Sequence, residues 1–253
     1  MKAQFKYAFL AGLYFRGAAF AVIFVMDVVF IILGSLGLLP FAAHVTAVSL
    51  GGVAIAVMLA ANIGGDVAIA RRMFSSPEAY LHMLTPVPRS KLLFASIAAM
   101  AVLDIFTMAF VIFAEVCLSF NFAGKGIWQI VFSTLRTHES YLIYVFWFIL
   151  LMIAVYLLVI MIIMFSVTAK KSILFKVTAS GLLSFLLACG CLYVASLLQL
   201  VLAPFGFVQR YGIFIVITLG SGAGLPVLLL LTLLEAAALY VLTAKLLERK
   251  VNL

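Results

Sequence analysis

Residues 141–168 read YLIYVFWFILLMIAVYLLVIMIIMFSVT, a run of 28 without a charged side chain. About 20 apolar residues cross the hydrocarbon core of a bilayer, so this stretch reads as a membrane-spanning helix. The rest of the chain reads the same way. Of its 253 residues 68% are apolar and 9% charged, against about 45–50% and about 25% in a soluble domain. This composition excludes a soluble globular protein, a disordered tail and a secreted disulfide scaffold. The three cysteines, Cys117, Cys189 and Cys191, all fall in apolar runs and read as small apolar side chains. Lys2, Lys6 and Arg16 are too widely spread, and the first apolar run too long, for a cleavable signal peptide.

The sequence predicts an all-α integral membrane protein of six spans in a single transmembrane domain over 1–253, with residues 141–168 as the fourth span. The spans are Ala18–Leu39 (closed by Pro40), His44–Gly64, Leu92–Phe120, Tyr141–Thr168, Val177–Leu202 and Leu225–Leu247. Before the first, Phe5, Phe9 and Leu13 recur every four residues while Lys2 and Lys6 fall on another face. Residues 1–16 therefore read either as an interfacial amphipathic helix or as the start of the span. Between spans two and three, 66–91 is polar. The mostly apolar stretch Gly212–Thr243 is too long for one crossing, at about 48 Å of helix, and Gly220–Pro226 interrupts it. Residues 203–224 thus read as an outer re-entrant or interfacial element. Irregular backbone at that depth is tolerated only under protein or beside a water-filled cavity.

Charge tests the layout. With both termini cytoplasmic, thirteen of the sixteen basic residues lie inside: Lys2, Lys6, Arg16, Arg71, Arg72, Arg89, Lys91, Lys170, Lys171, Lys176, Lys245, Arg249 and Lys250. Lys125, Arg136 and Arg210 remain outside. This is the positive-inside bias of a multi-pass cell-membrane protein, and an odd number of spans would spoil it. The net charge of +8 is then a topology signal and gives no reason to expect nucleic acid as a partner. Gly52, Ala56, Ala60 and Gly64, and again Ser180, Ser184 and Ala188, repeat at four-residue spacing. Such stripes let helices pack closely, within one bundle or between copies.

In the segment RRMFSSPEAYLHMLTPVPRSK (71–91), Ser75 and Glu78 form a capping box and Pro77 occupies the first helical turn. Pro86 and Pro88 end the helix, and Thr85 is biased away from helical geometry. The spacing predicts two turns over Pro77–Leu84. A helix so short is marginal in water, so Tyr80, Leu81, Met83 and Leu84 look for a surface, either a partner or lipid headgroups.

Six spans, cytoplasmic termini, this short helix and the run Glu78…Leu84-Thr85-Pro86-Val87-Pro88-Arg89-Ser90-Lys91-Leu92 resemble the type-2 ABC permeases. As a motif the resemblance covers about 15 residues, and Pro88 stands where that family usually has serine. It implies that the short helix is a coupling helix docking on a separate ATPase subunit, with Glu78 and Arg89 framing Tyr80, Leu81, Met83 and Leu84. It also implies a second permease copy, identical or related, with ATP and Mg held by the partner ATPase and no cofactor on this chain. An outer gate would fall at Phe205, Phe207 and Arg210. The chain is expected to be no enzyme itself: Gly124-Lys125-Gly126 is the nearest approach to a phosphate loop, and it lacks the first glycine, the spacing and the hydroxyl residue.

Four acids fall inside the predicted spans: Asp27, Asp104, Glu115 and Glu235. Each costs ~2.5–3.5 kcal/mol of insertion, against ~0.3–0.6 kcal/mol gained per strong apolar residue. No basic residue falls inside a predicted span to pair with them. They are expected to be protonated, hydrogen-bonded or facing a wet cavity, with Thr107 and Thr232 as nearby hydroxyl partners. They read either as a polar path for cationic or amphipathic cargo or as hydrogen bonds that hold the bundle. His44, His82 and His138 are scattered too widely for a metal site. The expected function is an ATP-driven export permease for an amphipathic or hydrophobic, peptide- or drug-like cargo. An ion-coupled carrier and a peptide-binding scaffold or immunity protein are the alternatives.

Overall fold

The computed structural model describes residues 2–36, 43–75, 88–122, 139–173, 180–199, 208–211, 214–217 and 224–250. They form six helices: α1 (Lys2–Ser35), α2 (Ala43–Ser75), α3 (Arg89–Phe122), α4 (Glu139–Ile173), α5 (Ser180–Gln199) and α6 (Gly224–Lys250). All six are long and apolar enough to cross a membrane, with candidate spans Phe5–Gly34, Ser49–Met73, Arg89–Cys117, Val145–Ser172, Gly181–Gln199 and Leu225–Glu248. The protein is thus a multi-pass membrane protein by length and composition of its helices.

Proline punctuates these helices. α2 lies between Pro40 and Pro77, and α3 starts just after Pro88, whose carbonyl accepts the first bonds, from the Lys91 and Leu92 amides at 2.9 and 3.3 Å. Pro226 lies in the first turn of α6, where its missing N–H is no loss.

α1 agrees with the second reading of residues 1–16, the start of the first span. It runs unbroken for 34 residues, about 51 Å at 1.5 Å per residue. The expected interfacial segment 1–16 and the expected span from Ala18 are one element, and Gly17 does not break it. Arg16 is therefore inside a candidate span. α2 likewise carries Asp66, expected to open the polar segment 66–91, within the helix as far as Ser75.

Between α5 and α6, Val208–Tyr211 (β1) and Phe214–Ile217 (β2) pair antiparallel, with Val208 opposite Ile217 and Tyr211 opposite Phe214. Among the described residues the ribbon has only these two strands, and a strand edge facing lipid would find no hydrogen-bond partner there. A lipid-exposed re-entrant path therefore does not suit this part of 203–224.

The helices divide into two compact units, one of residues 2–69 with 98–139 and one of residues 70–97 with 140–253. In the first, the apolar core joins Ala19 and Ile23 of α1, Ala54 and Met58 of α2 and Val111 of α3. The buried face of α1 runs Ala8, Gly12, Arg16, Ala19, Ile23 and Phe30 at helical three-to-four spacing. Phe20 meets Phe110 edge-to-face at 5.4 Å. In the second unit, Leu151 of α4 packs with Leu225 and Leu228 of α6.

The predicted stripe on α2 does not form its buried face. Gly52, Ala56 and Ala60 are exposed, while Gly51, Ala54, Met58, Asn62, Gly65 and Asp66 face inward.

Candidate functional site

The first unit buries a charged cluster just along α1 from its apolar core. Arg16 sits one turn after Gly12 on α1. Asn62 and Asp66, four apart, share a face of α2, and Asp104 and Thr107, three apart, share a face of α3. The Arg16 side chain donates from Nε to Asn62 Oδ1 at 3.0 Å and to Asp104 Oδ1 at 2.9 Å. Nη2 donates to Asp66 Oδ1 at 2.8 Å and also to Asp104 Oδ1. Nη1 donates to the Gly12 carbonyl at 3.2 Å. Arg16, Asn62, Asp66 and Asp104 are all no more than 1% exposed. Two carboxylates thus face one guanidinium.

Two glycines make room for that guanidinium. A Cβ on Gly12 would lie 2.6 Å from Arg16 Nη1 and 2.7 Å from Leu103 Cδ1. A Cβ on Gly65 would lie 2.7 Å from the same nitrogen. Glycine on α1 and on α2 is therefore what lets the guanidinium lie between these two helices and α3.

This corrects one expectation. A basic residue does pair with the intramembrane acid Asp104, because α1 runs unbroken through Arg16, where the expected interfacial segment ended. The Thr107 hydroxyl, expected beside Asp104, lies 3.1 Å from both Asn62 Oδ1 and the Asp104 backbone carbonyl. Asn62 and Asp66, absent from the expected site residues, belong to the cluster. The available signal was Asn62 and Asp66 at four-residue spacing beside a Gly64-Gly65 pair.

The other predicted acids lie apart from it. Glu115 of α3 is buried, and its carboxyl lies over Gly51 of α2, where an added Cβ would sit 3.3 Å from Oε2. Asp27 of α1 is half-buried and within electrostatic range of Glu115. Glu235 belongs to the second unit. It lines a cavity of about 590 Å³ walled by α5 and α6, with Phe165 of α4. Thr232, the expected partner of Glu235, donates instead to the Leu228 carbonyl of its own helix at 2.8 Å.

Of the coupling residues, Glu78, Tyr80, Leu81, Met83 and Leu84 lie outside the described residues, as do Phe205 and Phe207 of the outer gate. Arg210 is in β1. Arg89 is described. It begins α3 and donates from Nη1 to the Leu247 carbonyl, in the last turn of α6, at 2.5 Å. A cation there also complements the negative end of the α6 dipole. Tyr240 of α6 donates to the Ser90 carbonyl at 3.1 Å. Arg89 thus ties the end of the polar segment to the last span. Arg89→Ala is expected to cost about 1.5–3 kcal/mol, the range for a hydrogen bond to a charged group, read as a lower unfolding temperature of the purified protein. Arg89→Lys, with its single point charge, should recover part of it.

Among the described residues no group of three or more His, Cys, Asp and Glu is arranged to hold a metal. The comparisons with family models, curated proteins and solved structures found no match to this chain.

Proposed function

We propose that this chain is the membrane-spanning subunit of an ATP-driven exporter of the type-2 ABC class. The observation that carries the reading is the number of candidate spans, which is six. An even number leaves both ends and the segment 76–87 on one side of the membrane. That side holds twelve of the fifteen basic residues outside the buried cluster, as the positive-inside rule asks of a cytoplasmic face. There the run Glu78–Leu92, which resembles a coupling helix and its exit, would meet a separate ATPase that binds ATP and Mg. Arg89, at the start of α3, is hydrogen-bonded to the Leu247 carbonyl of α6.

A second copy of the chain would complete the transporter. The exposed small residues Gly52, Ala56 and Ala60 of α2 offer a face for close helix approach, since association in lipid depends on packing more than on the hydrophobic effect. The chain itself would hydrolyse nothing. Cargo would be amphipathic or hydrophobic, matching spans rich in Phe, Leu, Ile and Met.

Co-purification tests the reading. Wild type is expected to bring down a stoichiometric ATPase from its native membrane. Tyr80→Asp with Leu84→Asp, which puts charge on the apolar face of the short helix, is expected to lose it while keeping the wild-type unfolding temperature. A well-folded wild type that binds no ATPase would sink the proposal.

One observation favours a second reading, an ion-coupled carrier. Intramembrane charge clusters mark ion and proton pathways in transporters, and Arg16, Asp66 and Asp104 form one. Such a carrier would work without an ATPase.

A further inference from the structure

The second unit contains a buried acid whose carboxyl oxygens meet no full hydrogen-bond geometry among the described residues. It is Glu235, 8% exposed. Thr232 is committed to its own helix. Gln199, at the end of α5, approaches the carboxyl as a side-chain hydrogen-bonding neighbour, although neither carboxyl oxygen meets the geometry of a full hydrogen bond. The cavity that Glu235 lines is otherwise apolar, with Phe165, Leu186, Val194 and Leu239 typical of its wall and the Cys191 thiol its one other heteroatom-bearing side chain. At about 590 Å³ it falls within the range of about 300–1,000 Å³ usual for sites of drug-sized ligands.

We propose that this cavity binds a lipophilic monocation, an ammonium group carried on a bulky apolar body, with Glu235 as its counter-ion. An ammonium supplies the missing partner, and the apolar wall takes the hydrocarbon. Depth selects the source of that ammonium. Glu235 stands about 15 Å of helix from one end of the span Leu225–Glu248 and about 20 Å from the other. An aminophospholipid holds its ammonium at headgroup level and does not reach that depth, whereas a free amine dissolved in the apolar layer does. As a statement about cargo, this rests on the exporter reading; as a statement about binding, it does not.

Photolabelling tests it on the full chain in phosphatidylcholine nanodiscs with no ATPase present. The probe is an aryl-alkyl tertiary amine bearing a diazirine, and its neutral amide analogue is the control. Labels are located by mass spectrometry, which separates the site from bulk partition into lipid. The amine is expected to label α5 and α6 around Gly190 and Leu239 at least tenfold more than the amide, and Glu235→Gln is expected to bring the two level. Gly190→Leu gives a second arm. No described atom lies within 4 Å of a Cβ built there, so the larger side chain enters the cavity without a clash at its base and should lower labelling by both probes. Equal labelling by amine and amide in wild type overturns the proposal, as does labelling unchanged in Glu235→Gln or displacement of the amine by added phosphatidylethanolamine. If Glu235→Gln does not fold, the amine-to-amide ratio in wild type and the Gly190→Leu arm decide. Because no ATPase takes part, binding can fail while ATPase association stands, and the reverse.

Discussion

Arg16→Gln is expected to be among the most damaging single substitutions in this chain, at about 3–5 kcal/mol of unfolding free energy. The magnitude comes from what remains. Removing the guanidinium leaves Asp66 and Asp104 facing each other in a buried site without the base that both contact. A buried ion pair is weak evidence for net stabilisation, but breaking one strands the uncompensated charge. It follows that neutralising the acids should rescue the loss. Arg16→Gln combined with Asp66→Asn and Asp104→Asn should recover most of the stability, because no charge then remains to be solvated. Urea or thermal unfolding of the purified protein reads both results. A loss below about 1 kcal/mol for Arg16→Gln alone would mean that the cluster does not hold the first unit together.

The second large effect reverses a general rule. Within a helix, Gly→Ala normally gains about 0.8–1.0 kcal/mol. Gly65→Ala is expected instead to cost about 1–3 kcal/mol, the usual price of overpacking. Its new methyl would lie 2.7 Å from Arg16 Nη1 and 3.2 Å from Cζ. An arginine at the surface would swing away; this one is held by Asn62, Asp66 and Asp104. Gly52→Ala is the internal control, since no described atom lies within 4 Å of a Cβ there, and it should be neutral or mildly stabilising in the single chain. The penalty at Gly65 should also shrink in the Arg16→Gln background, because the two residues share one contact and their effects are not additive. Equal effects of Gly65→Ala and Gly52→Ala would contradict the packing described for the guanidinium.

These two positions show where the sequence was legible and where it was not. Six apolar helices follow from hydropathy, because in lipid a spanning segment must satisfy its backbone internally and be apolar almost throughout. A single charge at the edge of an apolar run is ambiguous in such a reading. Arg16 and Asp66 each fall at the margin of a run, so they looked like span ends. Only the unbroken course of α1 and α2 past them shows that they meet inside. Asp104, Glu115 and Glu235 were legible as intramembrane acids, being surrounded by apolar residues on both sides. Their partners were not, because a hydroxyl three residues away can bond its own backbone, as Thr232 does. The four-residue stripe on α2 was real as a pattern. It left open packing within the bundle or between copies: the close approach within the chain uses Gly65 and Gly12, and three of the stripe's members are exposed.

ATP dependence in inverted membrane vesicles tests the functional account most directly. Vesicles containing this chain with its candidate ATPase are given ATP in the outer medium or an imposed proton gradient, and uptake of a panel of amphipathic peptides and lipophilic amines is followed. Uptake is expected to require ATP hydrolysis and to disappear with Tyr80→Asp plus Leu84→Asp. Uptake driven by the proton gradient alone, with no ATPase present and abolished by Asp104→Asn, would contradict it and identify an ion-coupled carrier instead.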